Sequence, residues 1–160
     1  MSGPRRIWRI ATKGRTWRAA DLSGRGAAQE PGRWNSAGRA VIYCSSSIAL
    51  ACLETVVHLS GDQPLPLRRC LVAIDVPEEH WQQRRRLIRD DLPGWDTTPA
   101  DQVSRTWGDR WLTSGQTLLA AVPSVIVPEE SNVLINPHHP ACNQVVAHQL
   151  RRWSYEARLS

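Results

Sequence analysis

Short runs of apolar residues separated by polar stretches run along the chain, and most of these runs are typical of strands. Residues 6–12 alternate around Ile7, Trp8 and Ile10 and predict the first strand. Similar runs predict strands over residues 40–44, 70–76, 124–127 and 132–136. Residues 144–148 and 153–155 fit two final strands, but residues 145–153 fit a helix equally well.

Two stretches have helical spacing instead. Residues 47–59 are apolar on most sides, with serines at 45–47 as an N-cap and Gly61 as a stop. Trp107 and Trp111 lie four residues apart and predict the start of an amphipathic helix. Residues 13–38, rich in glycine and polar residues, predict a long functional loop with room for one helical turn. Because strands and helices mix without a regular βαβ rhythm, we predict an α+β fold in a single domain over residues 1–160.

The composition indicates what kind of partner the chain binds and in which cellular compartment it is expected. The formal net charge is +5, and Lys13 is the only lysine, so nearly all of the positive charge is guanidinium. Arginine binds phosphate and carboxylate groups through two hydrogen bonds, which favours an anionic partner, although a codon bias toward arginine explains the composition equally well. The N-terminus has no apolar signal-peptide core and no run reaches membrane-spanning length. We therefore expect a cytoplasmic protein with reduced cysteines and no membrane partner.

Glu54 is the first candidate for chemistry, since it is the only acid of the predicted helix. It shares a stripe with Ser47, Ala51 and His58 at helical spacing, and the other positions are apolar. A carboxylate buried there is costly unless it is paired or functional. The alternative is that the stripe is the solvent-exposed face, and helix geometry alone favours that alternative.

The segment Gly32-Arg33-Trp34-Asn35 is a second candidate. Glycine lets a backbone approach a ligand closely, and Arg33 is suited to clamp a phosphate or carboxylate. The alternative is a surface turn with a solvated arginine and a core tryptophan. Tyr43 ends a strand just before the serine-rich cap, where a helix N-terminus would attract an anion. A core tyrosine with one hydrogen bond is the alternative there.

Other chemistry finds little support in the sequence. His138, His139, Cys142 and His148 lack the paired spacing of zinc sites, so we predict no metal. The basic runs at residues 84–86 and 151–152 lack interleaved aromatic residues, so we expect solvated faces rather than nucleic-acid binding. The chain has no phosphate-binding glycine loop, dinucleotide fingerprint or nucleophile elbow.

Several stretches, in order, resemble the RES-domain toxins of bacterial toxin–antitoxin pairs, including the ParT type. The similarity covers residues 7–159. Many members carry Gly-Gly before the Arg-Trp pair, where this chain has Pro31-Gly32, and Asn-Tyr near the end, where this chain has Asn132-Val133. The matching stretches are Trp8-Arg9-Ile10, Leu22 to Gly26, Gly32 to Ser36, Val41 to Tyr43, Ser47 to Glu54, Gly108 to Leu112, Ser114-Gly115, Val122 to Ser124, Asn132 to Pro137 and His139-Pro140.

This resemblance implies a fold and an activity. The fold would be similar to ADP-ribosyltransferase toxins, with mixed, mainly antiparallel sheets and flanking helices. The activity would use NAD as a substrate and need no metal. The Arg, Glu and Ser that give the family its name fall on Arg33, Glu54 and Ser124, with Arg9 as a second arginine.

The expected roles follow from cleavage of the nicotinamide–ribose bond. Glu54 would stabilise the ribosyl cation, Tyr43 would stack on nicotinamide, and Arg33 with Arg9 would bind phosphate or ribose oxygens. Ser124 would hydrogen-bond the nicotinamide-ribose side. The expected catalytic residues are thus Glu54, Arg33 and Tyr43, and the expected NAD-binding residues are Arg9, Arg33, Trp34, Tyr43, Ser45, Ser124 and Asn132.

The resemblance also implies two protein partners. One is an Xre-like antitoxin that blocks the NAD pocket, and the other is a cellular protein that accepts ADP-ribose, with an enzyme of nucleotide metabolism as one candidate. We therefore predict a type II toxin that transfers ADP-ribose to a protein, arrests growth and does not itself bind nucleic acid. The alternatives are an NAD glycohydrolase or phosphorylase, a basic nucleic-acid-binding module without catalysis, and an interaction protein whose arginines only bind its partner.

Overall fold

The computed structural model describes residues 3–14, 18–57 and 67–159. In this part of the chain, seven strands form one sheet with α-helices beside it, and short 3₁₀ turns occupy Arg89–Asp91, Pro140–Gln144 and Ala157–Leu159. The elements, in chain order, are β1 (Arg5–Thr12), α1 (Arg25–Gln29), β2 (Ile42–Ser45), α2 (Ile48–Val56), β3 (Arg69–Val76), α3 (Glu78–Gln82), β4 (Arg85–Arg86), α4 (Gln102–Ser114), β5 (Leu119–Pro123), β6 (Ser131–Ile135) and β7 (Val146–Trp153).

The strand order across the sheet is β4-β5-β6-β2-β1-β3-β7. Every neighbouring pair is antiparallel except β4 and β5, which are parallel. The predicted α+β class, with a mainly antiparallel arrangement and flanking helices, is therefore confirmed. The described strands make one continuous sheet rather than several.

Most predicted elements are present with small shifts. The predicted strands at 6–12, 40–44, 70–76 and 132–136 correspond to β1, β2, β3 and β6. Helix α2 begins after Ser47, whose hydroxyl accepts a hydrogen bond from the Leu50 N–H as an N-cap. Its predicted end at Leu59 and the stop at Gly61 lie outside the described residues. The helix predicted from Trp107 and Trp111 is α4, which begins five residues before Trp107.

The predicted strand at 124–127 is wrong, because the strand in this region is β5, which ends at Pro123. The Ser124 hydroxyl accepts hydrogen bonds from the Ile126 and Val127 N–H groups at 3.1 Å each, and these bonds close a turn. At the other ambiguous segment, residues 145–153 form a strand rather than a helix. They form the single strand β7 along β3, in place of the two short strands proposed.

Both faces of the sheet are covered by apolar contacts. On one face, Ile7, Cys44, Val72 and Val133 belong to the larger core cluster. On the other face, α4 packs against β5 and β6, and α2 packs against β1 and β3. Helices α2 and α4 therefore lie on the same face of the sheet. No helix of the described residues is long and apolar enough to cross a membrane.

Candidate active site

Helix α2 directs Glu54 toward the middle of the sheet. Ala51 is buried against Ile10 and Leu71, which fixes the rotation of the helix on the sheet. Glu54 Oε1 then accepts a hydrogen bond of 2.7 Å from Ser124 Oγ and another of 2.7 Å from Asn132 Nδ2. The alternative of a solvent-exposed stripe is therefore wrong for Ala51 and Glu54, and His58 lies outside the described residues.

A second layer of polar side chains fixes these two donors. Ser45 lies directly opposite Asn132 across β2 and β6, and its hydroxyl donates to Asn132 Oδ1 at 2.8 Å. This bond orients the amide so that its NH₂ group faces Glu54. Ser124 is fully buried, and its oxygen already accepts from two backbone N–H groups, so its single proton points to Glu54.

The network holds only one oxygen of the carboxylate. Among the described residues, Oε1 of Glu54 has both hydrogen bonds, and Oε2 has no hydrogen-bond partner. The two donors to Oε1 offset part of the cost of half-burying the charge. Glu54 is thus an anchored acid with one oxygen available to a ligand.

Arg33 is held differently, by backbone carbonyls. Its Nη1 donates to the Trp95 carbonyl at 3.0 Å and to the Thr97 carbonyl at 2.7 Å. No described residue pairs with its Nε or Nη2. Burial lowers the pKa of the Arg33 guanidinium, and the carboxylates of Glu54 and Asp96 act in the opposite direction. Tyr43 lies beside the Arg33 loop, because its hydroxyl accepts a hydrogen bond from the Trp34 N–H. Tyr43 also projects from the same face of β2 as Ser45, which bonds to the Asn132 side chain that holds Glu54.

Trp34 is the core anchor of the loop that carries Arg33. It is only 3% exposed, and its ring stacks on Trp95 at 6.5 Å and meets Trp107 edge-on at 5.6 Å. Gly108 of α4 lies beneath it, where an added Cβ would come within 1.7 Å of the Trp34 carbonyl oxygen. Burial leaves little of Trp34 for a ligand, so its predicted contact with NAD is not supported by this placement.

Tyr43 supports the same loop from the sheet. Its hydroxyl donates to Asn35 Oδ1 at 2.6 Å and accepts from the Trp34 N–H at 3.0 Å. Gly32 packs so closely on the phenol ring that an added Cβ would lie 2.7 Å from Cζ, which explains the glycine. Burial raises the pKa of the Tyr43 hydroxyl above its usual range, so the phenol stays protonated and able to donate. Any stacking on nicotinamide would have to use the partly exposed ring.

Arg9 is set apart from these groups. Trp8 pairs with Ser45 on the face that carries the Glu54 network, so the next side chain, Arg9, leaves the sheet on the opposite face. Its Nη1 donates to the Tyr43 carbonyl at 3.0 Å, and its Nε is buried without a described partner. This geometry gives Arg9 a role in holding β2 beside β1, and its predicted contact with NAD stays untested.

Sequence reasoning assigned no role to two residues that the structure places around the site. Asn35 is fully buried and links Gly32, Tyr43, Ala27 and Arg39 through its side-chain amide. An asparagine between two glycines of a functional loop was the available signal. Tyr155 was missed because its partner is distant in sequence: its hydroxyl and the Thr55 hydroxyl, next to Glu54, are 2.7 Å apart.

No group of three or more His, Cys, Asp or Glu side chains suited to a metal occurs in the described ranges. His139, one member of the cluster weighed from the sequence, instead accepts a hydrogen bond from the Ala141 N–H at 3.0 Å and closes a local turn. The expectation that the chemistry needs no metal stays a prediction.

Glu54 of α2 is thus held by a serine that follows β5 and by an asparagine of the interior strand β6. The model of the RES domain matches residues 6–157, and the chain belongs to this family. The family resemblance predicted from the sequence is therefore confirmed.

Named relatives align with most of the chain. The chain is 52% identical over 154 residues to the "Prs ADP-ribosylating toxin" of Sphingobium sp. (strain YBL2), covering 96% of this chain and 95% of the relative. It is 38% identical over 135 residues to a "Toxin Res" of Pseudomonas putida, with coverage of 84% and 86%. It is 37% identical over 126 residues to a "Toxin Res" of Yersinia enterocolitica, with coverage of 78% and 80%.

Proposed function

We propose that the chain is a toxin that cleaves the nicotinamide–ribose bond of NAD and transfers ADP-ribose to a cellular protein, thereby arresting growth. The observation that carries the proposal is the anchored Glu54 carboxylate, whose Oε2 has no described partner, together with the Arg33 guanidinium, whose Nε and Nη2 have no described partner either. NAD has a ribose that becomes positively charged as nicotinamide leaves, and a negatively charged pyrophosphate. The Glu54 carboxylate can stabilise the first, and the Arg33 guanidinium can bind the second.

The chemistry assigned to Glu54 is electrostatic. When the bond between ribose C1′ and nicotinamide breaks, the ribose takes on oxocarbenium character and nicotinamide leaves as a neutral ring. Oε2 would stabilise the ribosyl cation, while Ser124 and Asn132 keep the carboxylate from turning away. The acceptor then forms the new bond to C1′ and loses its proton. Fixed charges that stabilise a transition state without reorganising contribute strongly to rate.

Arg33 would bind the pyrophosphate through Nε and Nη2, because Nη1 is already held by the Trp95 and Thr97 carbonyls. Tyr43 and Asn35 would act by holding the backbone of residues 32–34 in place. Ser45 is buried and donates to Asn132, so we assign it the same supporting role. In this proposal only Glu54, Arg33 and the ring of Tyr43 touch NAD directly.

The acceptor we propose to test first is Prs, since the name of the Sphingobium relative states that protein as its target. The experiment uses cell-free synthesis, which avoids toxicity to a host. The chain is incubated with NAD alone, with purified Prs or with bacterial lysate, and the products are followed by mass spectrometry. Addition of ADP-ribose to a protein supports the proposal.

Other products would point to a different reaction. Free ADP-ribose, or its phosphate, formed at the same rate with and without protein would indicate an NAD glycohydrolase or phosphorylase. NAD that stays intact under every condition, while Prs and lysate proteins stay unmodified, would remove the catalytic proposal. Glu54→Gln should abolish the activity in each arm. Glu79→Gln is its matched control, because it removes a largely exposed carboxylate of α3 whose described partner is His80.

We also propose that an Xre-like antitoxin covers the site around Glu54 and Arg33. The support is the family resemblance and the absence of any described side chain on Glu54 Oε2. Co-expression with a neighbouring Xre-like protein should yield a complex in which NAD is no longer consumed. A stable complex that still turns over NAD at the free rate would contradict this.

A further inference from the structure

A groove lies along α4, and none of the predicted site residues lines it. Its volume is about 640 Å³. One face of α4 forms its wall, through residues at three- and four-residue spacing from Gln102 to Ser114. Those positions span about 18 Å at 1.5 Å per residue. The groove is also lined by Arg85, Leu92, Gln116 and Thr117.

The groove carries unpaired positive charge. Arg85 and Arg110 line it, both are exposed, and neither guanidinium has a hydrogen bond or ion pair with a described residue. No carboxylate of the described residues lines it. The two acids of α4 and its cap are engaged elsewhere: Asp101 accepts from the Gln102 N–H, and Asp109 accepts from the N–H and hydroxyl of Ser36. The groove therefore favours an anionic occupant.

Its floor is apolar. Leu92, Val103 and Trp107 are only partly buried, and Trp111 lies beneath them with its indole N–H donated to Thr117 at 2.9 Å. A surface with an apolar centre and arginines beside it has the composition of a protein interface. An occupant with one apolar side chain between acidic ones would match both features.

Arg85, one of the residues lining the groove, belongs to the edge strand β4. β4 is the outermost strand of the described sheet, and β5 pairs with only one of its edges. An exposed edge offers backbone N–H and carbonyl groups to an added strand. About five extended residues span the length of the groove, at roughly 3.3 Å per residue. The elongated shape therefore suits a peptide better than a compact nucleotide.

We propose that this α4 groove is a docking site for an acidic peptide segment of a partner protein. An apolar side chain of that segment packs on Leu92, Val103 and Trp107, and its carboxylates pair with Arg85 and Arg110. Trp107 also contacts Trp34, so the docked partner lies one aromatic layer from the loop that carries Arg33. The site is separate from Glu54 and does not depend on the proposed catalysis.

Selection from a displayed library of seven-residue peptides tests this proposal. The full-length chain is the bait, and the expected result is enrichment of peptides with two or more Asp or Glu residues flanking an apolar residue. The double substitution Arg85→Ala/Arg110→Ala should weaken the best peptide by about tenfold or more, because two charge-assisted hydrogen bonds are lost. The double substitution Arg151→Ala/Arg152→Ala removes the same charge from β7 and should leave binding within about twofold.

Two controls keep the outcome decisive. Thermal melting of each variant establishes that it is folded, since both substituted pairs are exposed. Binding of the selected peptide should weaken as salt is raised, as expected for exposed charge pairs. The proposal is overturned if no acidic peptides are enriched, if they bind both double variants equally, or if ADP displaces them from the wild-type chain.

Discussion

Glu54 and Arg33 are two halves of one candidate site, and they are supported in opposite ways. Glu54 is held by the side chains of Ser124 and Asn132, which single substitutions can remove. Arg33 is held by the carbonyls of Trp95 and Thr97 and by the packing of Trp34, which no side-chain deletion removes directly. The position of the Glu54 carboxylate can therefore be changed by removing a hydrogen-bond donor. The position of the Arg33 guanidinium can be changed only by disturbing the packing of its loop.

Apart from Glu54 itself, the largest effect is expected at Gly108. Replacing it by Ala places a Cβ 1.7 Å from the Trp34 carbonyl oxygen, so the Arg33 loop or α4 must move. Extra methyl groups in packed regions cost about 1–3 kcal/mol, and each kcal/mol lowers the Tm of a chain this size by about 2–4 °C. Displacement of the loop should lower NAD turnover by about 100-fold.

Gly26→Ala is the matched control, because the Cβ added there has no neighbour within 4 Å. Calorimetry and NAD turnover of both variants make the comparison. Equal behaviour of the two variants would mean that the packing of the loop does not support Arg33.

Next in size is Arg33→Ala, measured on a Glu54→Gln background so that NAD is not consumed. Loss of a charge-assisted contact should weaken NAD binding by about 10- to 100-fold. Arg25→Ala, which removes an exposed charge of α1, should change the dissociation constant little. Isothermal titration gives both values, and an unchanged constant for Arg33→Ala would separate Arg33 from the NAD site.

Ser124→Ala should have a moderate effect on the acid. It removes one donor to Glu54 Oε1 and the acceptor of two backbone N–H groups, so kcat should fall by about tenfold while KM changes little. Ser104→Ala provides the comparison, because that serine is also fully buried but bonds only to the Asp101 carbonyl. A loss of stability without a change in kcat would show that Ser124 does not position Glu54.

The smallest effect is expected at Tyr155. Thr55 donates its proton to the Cys52 carbonyl, so Tyr155 is the donor in their shared bond, and Tyr155→Phe removes that bond alone. Turnover should fall by about two- to fivefold. The double variant with Thr55→Val should be no worse than Thr55→Val alone, since Thr55→Val already removes the contact with Tyr155. Additive losses would indicate two independent roles.

The sequence predicted the elements whose apolar residues have a clear period. It failed at residues 124–127, where side-chain hydrogen bonds form a turn, and it left residues 145–153 ambiguous, where the apolar pattern is weak. The run after Pro123 has the β-branched composition of a strand, but the Ser124 hydroxyl binds two backbone N–H groups and turns the chain there. β7 is exposed along most of its length because it is an edge strand, so its pattern does not distinguish strand from helix.

For the candidate site, the sequence and the family resemblance singled out Glu54, Arg33, Ser124 and Asn132 as polar residues in recognisable stretches, and their roles toward NAD stay a prediction. They did not reveal that Ser45 and Ser124 act on other side chains, that Trp34 is buried, or that Arg9 faces away from the network. These facts depend on strand register, which pairs residues from distant parts of the chain.

The most direct test of the account separates binding from turnover in Glu54→Gln. This substitution keeps the size of the side chain and an oxygen for Ser124 and Asn132 but removes the charge at Oε2. Binding of an NAD analogue whose nicotinamide bond cannot break should stay within about threefold of wild type, while NAD turnover falls by about 100- to 1,000-fold. Full turnover in this variant, or binding lost to the same extent as turnover, would contradict the assignment of Glu54 as the group that stabilises the ribosyl cation.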